Sequence, residues 1–218
     1  MKIDNLPSNY CYDQYGFLKQ TKFDSFKYTF DYCKKQSTNI EMSYLRLGWL
    51  SSFFSYEKMQ KMNVVDIGCG NGSFVKCCQG KFGKIVGYDV VGNTISKEEL
   101  YGQKWDLIVL SDVLEHFDNI DDLLKINWKH AMISFPETPN VDNFEELKKW
   151  RHFKPNEHLY SLTLEKIQKW FNIYRCGTED KFSILGTSNF EDLIRTRWNK
   201  EKTNISTILV ERFVNYRY

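Results

Sequence analysis

Three glycines at alternate positions, Gly68, Gly70 and Gly72, follow the β-branched run Val64-Val65-Asp66-Ile67 and precede a helical pattern of Phe74, Val75, Cys77 and Cys78. No other feature constrains the fold as strongly. A buried strand that ends in glycines and turns straight into a helix reads as the first half of a parallel β-α-β unit. Missing Cβ atoms let the backbone bend tightly and let a ligand approach. Gly80 closes the helix as a C-cap. Lys84-Ile85-Val86-Gly87-Tyr88-Asp89 is the second strand, and its carboxylate comes seventeen residues after Gly72. An acid at such a strand end can accept two hydrogen bonds from a ribose diol. A glycine turn alone is weak evidence; the strand before it, the helix after it and the acid beyond make it specific.

The alternation continues. Ser96-Lys97-Glu98-Glu99 has the form of a capping box opening a very short helix, and residues 105–110 read as a strand. A helix is predicted over 119–128 and a strand over 131–135, stopped by Pro136. Further helices are expected at 143–150 and 163–171, and strands at 181–185 and 205–213. The pattern predicts a doubly wound, mostly parallel, Rossmann-like α/β sheet with helices on both faces over residues 61–218. Only fifteen residues separate Asp89 from Trp105, so a third strand is expected to be missing or very short. Residues 1–60 are rich in Tyr, Phe, Lys and Ser and carry a helical pattern over 43–54. They are expected to form an N-terminal helical extension, either a lid or an interface.

Composition narrows the function classes. A net charge of +2, with basic residues spread along all 218 positions, gives no electrostatic footprint for DNA. Thirteen tyrosines and an aromatic fraction of 16% suggest a sticky cleft or a cover over one. Six cysteines include no Cys-x-x-Cys pair and no Cys/His cluster with zinc spacing, so no metal is expected. The N-terminal residues lack the apolar run of a signal peptide, and no stretch approaches the ~20 apolar residues of a membrane span. A cytoplasmic protein with reduced thiols is the expectation.

The details of the glycine loop separate cofactors. A dinucleotide site expects Gly-x-Gly-x-x-Gly, whereas here the spacing is Gly-x-Gly-x-Gly, Ser stands at 73, and Asp66 precedes the loop. This resembles motif I of the class I S-adenosylmethionine-dependent methyltransferases. The resemblance continues through Gly87-Tyr88-Asp89, similar to that family's ribose-binding motif, and through Trp105-Asp106-Leu107-Ile108-Val109-Leu110-Ser111-Asp112-Val113-Leu114-Glu115-His116. Ile133-Ser134-Phe135-Pro136 is similar to the family's fifth strand. The run from Glu157-His158-Leu159-Tyr160 to Ile167 resembles a stretch of small-molecule and sugar methyltransferases of the ubiquinone-biosynthesis-like group. It covers roughly residues 62–175.

The resemblance implies S-adenosyl-L-methionine as cofactor, with Asp66, Gly68, Cys69, Gly70, Asn71 and Gly72 at its methionine end and Asp89 with Val90 at its ribose. Loop amides and the helix N-terminus would favour its carboxylate. Ser111 and Asp112 would border the sulfonium, although Asp112 also fits a helix N-cap. A hydroxyl acceptor benefits from a nearby base, which points to histidine. His152 and His158 flank a loop after the fifth strand, and His116 follows the family's Leu-Glu; these three are the catalytic candidates, while His130 reads as structural. Arg151 is the candidate for an anionic group of the substrate. The expected activity is methyl transfer to oxygen or nitrogen of a small molecule, sugar or glycan precursor. RNA or protein acceptors remain open, as do a nicotinamide-dependent oxidoreductase and a non-catalytic nucleotide-binding module. Signatures for base methylation are absent: there is no Asn/Asp-Pro-Pro-aromatic run and no Pro-Cys pair.

Overall fold

The computed structural model describes residues 3–29, 31–32, 40–92, 94–178 and 205–211. A six-stranded sheet runs in the order β4-β3-β5-β6-β9-β8. Its members are β3 (Asn63–Ile67), β4 (Lys84–Tyr88), β5 (Lys104–Ser111), β6 (Asn127–Pro136), β8 (Asn172–Thr178) and β9 (Ile205–Glu211). The pairs β3–β4, β3–β5 and β5–β6 are parallel, and β9 runs antiparallel to both β6 and β8. Strand order reverses between β3 and β5, whose carboxyl ends therefore open a crevice, the place where ligands bind in sheets of this kind.

Side chains alternate across the sheet as the pleat requires. Val64, Leu107, Val109, Met132 and Leu209 pack on one face against Leu47, Trp49 and Leu50 of α1 (Ile40–Ser51), Met59 of α2 (Tyr56–Met59) and Phe74 and Cys78 of α3 (Ser73–Cys78). Val65, Ile67, Ile108, Leu110, Ile133 and Val210 face the other layer. It holds Leu100 of α4 (Lys97–Gly102), Leu123 of α5 (Asp122–Lys125) and Ile167 and Trp170 of α7 (Leu164–Trp170). The layer also takes Phe17, so the N-terminal segment shares the core.

Two helix-to-strand turns use one latch. The Trp105 indole donates to the Leu100 carbonyl at 2.9 Å, and the Trp128 indole donates to the Leu123 carbonyl at 2.9 Å. The two tryptophans are register partners on β5 and β6. This corrects the helix expected over 119–128: α5 stops at Lys125, and Asn127 and Trp128 already belong to β6. The capping box forms as expected, with Glu99 N–H donating to Ser96 Oγ and Ser96 N–H donating to Glu99. No strand lies between Tyr88 and Lys104 among the described residues; α4 stands there alone. The strand expected at 181–185 lies outside the described residues, and β8 at Asn172–Thr178 was not anticipated.

Among the described residues, the N-terminal segment forms two short strands ahead of the helical residues 31–32. β1 (Tyr10–Tyr12) and β2 (Leu18–Gln20) make a hairpin, and β2 pairs antiparallel with β7 (Tyr160–Ser161). Short α6 (Phe144–Lys148) is capped by Asn143, whose side chain accepts from Glu146 N–H. The buried Gln20 fastens the hairpin to the loop before β7. Its amide donates to Asn156 Oδ1 at 3.0 Å and its carbonyl oxygen accepts from Asn156 N–H at 2.9 Å.

Candidate functional site

The glycine loop joins β3 to α3 with left-handed backbone at Gly68, Gly70 and Gly72, where φ is 73°, 51° and 73°. At Gly68 a Cβ would lie 2.3 Å from Val113 Cγ2, so both the conformation and the space demand glycine. At Gly70 and Gly72 a Cβ would meet no atom within 4 Å. Those positions open onto space rather than onto protein.

The loop amides are largely committed within the protein. Gly68 and Cys69 N–H donate to the Tyr88 carbonyl, Gly70 N–H to Asp89 Oδ2 at 2.8 Å, and Gly72 N–H to the Cys69 carbonyl. Ser73 N–H goes to Asn71 Oδ1. Asp89 Oδ1 accepts from Val91 N–H at 3.0 Å. The Asp89 carboxylate therefore fixes the loop and borders the cavity at once.

Asp66 is fully buried at the carboxyl end of β3. Burial pushes its carboxyl up to about 7, helped by nearby Asp89 and opposed by the Arg46 guanidinium. Sequence reading missed Arg46. It comes from α1, is buried, and approaches Asp112 Oδ2 at 3.4 Å. Asp112 follows β5 with φ 55° and caps no helix, because the N-cap of the turn Leu114–His116 is Val113.

One cavity of about 700 Å³ collects these groups, within the range of small-molecule sites. Asp66, Gly68, Cys69, Gly70, Asn71, Asp89, Val90, Ser111 and Asp112 line it; Gly72 does not. The opposite wall holds all three catalytic candidates, His116, His152 and His158, together with Phe23, Phe26, Tyr28 and Tyr32 from the N-terminal segment. Arg151 is exposed and does not line the cavity; its Nε donates to His152 Nε2 at 2.8 Å. His130 sits in the core on β6, its ring 5.3 Å from that of Phe54.

On that wall the His116 Nδ1 lies 2.9 Å from the Glu157 carbonyl and 3.0 Å from the Tyr28 hydroxyl. Tyr32 donates its hydroxyl proton to Glu157 Oε1 at 2.5 Å. The rings of His116 and His158 meet edge to face at 4.7 Å. Burial lowers the His116 imidazole, takes His158 down to about 3 with help from His116, and takes His152 down to about 4 with help from Arg151. In each ring burial favours the neutral form. Glu115, also missed as a site residue, is 1% exposed, and burial holds its carboxyl well above the usual range. The aromatic wealth of residues 1–60 was the available signal for Tyr28 and Tyr32; for Glu115 the signal was its place in the family-like segment that ends at His116.

Cys11, Cys69, Cys77 and Cys78 are free thiols. No helix among the described residues is long and apolar enough to cross a membrane.

A family model described as "Methyltransferase domain" matches residues 41–174. Among solved structures, a SAM-dependent methyltransferase from Archaeoglobus fulgidus is similar at 16% identity and a TM-score of 0.51, covering 85% of this chain and 100% of that one. A SAM-dependent methyltransferase from Aquifex aeolicus aligns at 13% identity and a TM-score of 0.51, covering 86% of this chain and 100% of that one. At these identities the likeness concerns the fold. No curated protein sequence matches the chain.

Proposed function

Because the chain belongs to the class I S-adenosylmethionine-dependent methyltransferases, we propose that it methylates an oxygen or nitrogen of a small molecule, sugar or glycan precursor. One observation carries this reading: the glycine loop and the Asp89 carboxylate share a single cavity with a wall of histidines and tyrosines. Bound S-adenosylmethionine supplies an electrophilic methyl group on a sulfonium.

The residues present fit that cofactor. Open space beyond Gly70, which lines the cavity, leaves room for a ligand chain against the loop. Asp89 accepts from Gly70 N–H and Val91 N–H, and a carboxylate has up to about four acceptor positions, the kind of group that takes ribose hydroxyls. Since most of the loop amides have internal acceptors, Arg46 is the main partner for the methionine carboxylate, and Asp66 faces the amino group. Leu100 and Tyr101 of α4 line the cavity where the absent third strand would otherwise supply the adenine contacts.

The acceptor lies against His116, His152 and His158, which position its hydroxyl or amine. Phe23, Phe26, Tyr28 and Tyr32 of the N-terminal segment serve as the cover on this side. Holding the acceptor in line with the methyl group supplies much of the acceleration in such a displacement. A cavity of about 700 Å³ shared with the cofactor suits a small acceptor.

Calorimetric titration of S-adenosylhomocysteine tests the donor half, and absence of binding to the wild-type protein would overturn the reading. A panel of small hydroxy and amino compounds with radiolabelled donor tests the acceptor half. Label appearing in RNA or protein, and in none of the panel, would reject the small-molecule assignment.

A further inference from the structure

Glu115, His116 and His158 bring one ligand-type atom each to within 4.8 Å of one another on the wall of the cavity. We propose that they bind a divalent transition-metal cation with a preference of the Zn²⁺ type, with its remaining coordination positions open toward the acceptor. This departs from the sequence expectation of no metal. Glu115 and His116 are adjacent, and His158 follows 42 residues after His116, so no zinc spacing is legible.

Glu115 is the first argument. Its carboxyl group is buried, and neither oxygen meets a hydrogen-bond donor in bonding geometry among the described residues. Buried polar groups are nearly always partnered, and a buried carboxyl group whose oxygens lack partners is costly whether or not it carries its proton. The second argument is the tautomer of His116. A backbone carbonyl can only accept, so the 2.9 Å contact with the Glu157 carbonyl places the proton on Nδ1. In the neutral ring Nε2 then carries a lone pair, and it lies 3.9 Å from Glu115 Oε1. That separation is too long for a hydrogen bond. A cation bonded to both atoms at about 2.1 Å in tetrahedral geometry would need them about 3.4 Å apart. A small side-chain adjustment reaches it.

His158 supplies the third ligand. Its Nδ1 is buried without a hydrogen-bond partner among the described residues. The carbonyl on His116 Nδ1 is also the outer contact that orients metal-bound imidazoles. Two nitrogens and one carboxylate oxygen suit zinc and neighbouring transition metals, whereas calcium and magnesium prefer oxygen ligands throughout. Three protein ligands leave at least one position free. Polarisation of an acceptor oxygen at that position rests on the methyltransferase reading; binding of the cation does not.

The test uses full-length protein stripped with a chelator and dialysed. Calorimetry with Zn²⁺ should give one site per chain, and Co²⁺ should produce visible absorption bands of a low-symmetry site. Glu115→Gln and His158→Gln should each weaken Zn²⁺ at least tenfold, while their affinity for S-adenosylhomocysteine stays as in wild type, which also reports that they are folded. Failure of wild type to bind one Zn²⁺, unchanged affinity in both variants, or equal affinity for Ca²⁺ would overturn the proposal. Wild type that binds Zn²⁺ but not S-adenosylhomocysteine would sustain the metal site and reject the methyltransferase reading.

Discussion

On the side we propose for the donor the cavity wall is largely backbone: a glycine loop most of whose amides find acceptors within a stretch of about twenty residues, from Gly68 to Asp89. On the acceptor side it is side chains gathered from residues 23–32, 115–116 and 152–158. The donor side is local and internally satisfied. The acceptor side needs the hairpin β1–β2, its pairing with β7 and the Gln20–Asn156 contacts before any of its groups meet. It also leaves Glu115 and His158 with buried atoms that meet no hydrogen-bond partner among the described residues. A shared cofactor can be held by invariant geometry, whereas an individual acceptor requires groups held ready for it.

Asp66 is the donor side's exception, and it offers the largest effect. Its ordinary value of 3.8 rises to about 7 on folding. The unfolded chain therefore ionises first as pH rises, and the stability carried by the neutral buried acid declines until the folded carboxyl ionises near 7. Between pH 5 and 8 the ligand-free wild type should lose about 3 kcal/mol more stability than Asp66→Asn. Urea unfolding of both proteins at the two pH values measures this, and parallel pH profiles would show that the burial is not felt.

Gly68→Ala should come next. Left-handed backbone costs an L-residue roughly 1–2 kcal/mol, and overpacking against Val113 typically adds about 1–3 kcal/mol. A total of about 2–5 kcal/mol is expected by denaturation. Adding Val113→Ala should recover the packing part alone. Gly70→Ala, with no atom near its Cβ, should show the backbone part alone. Equal losses at Gly68 and Gly70 would break the claim that Val113 shapes the loop.

The same division explains what could be read from sequence. Gly68-Cys69-Gly70-Asn71-Gly72, Asp89 and the Ser96–Glu99 capping box state their conformations in adjacent residues, and the structure forms each one. The helix expected through Trp128 failed because Leu123, Leu124 and Trp128 fit a helical stripe, while the indole latch and the pairing with Trp105 place Trp128 in a strand. β1, β2 and β7 are two or three residues long, too short for any periodicity to show. Arg46 resembles an ordinary surface charge in sequence, and only its burial marks it. Arg151 looked suited to an anionic substrate, yet it turns toward His152 outside the cavity lining.

Two smaller effects probe the boundary between the halves. Asp89→Ala should weaken S-adenosylhomocysteine by about 2 kcal/mol, the scale of lost hydrogen bonds to a charged group. Calorimetry would read it, and unchanged affinity would remove Asp89 from the donor site. Tyr32→Phe deletes only the hydroxyl that donates to Glu157 Oε1. Glu157 also carries the carbonyl beside His116 Nδ1 and takes the Lys154 ammonium at 3.2 Å, so the loop keeps other restraints. A loss of about 1 kcal/mol is expected for a hydrogen bond in a half-exposed setting. It should appear as a roughly fivefold rise in acceptor KM, with the affinity for S-adenosylhomocysteine untouched. If the cofactor affinity fell instead and the acceptor KM held, Tyr32 would be bracing the donor site, and the two walls would not be independent.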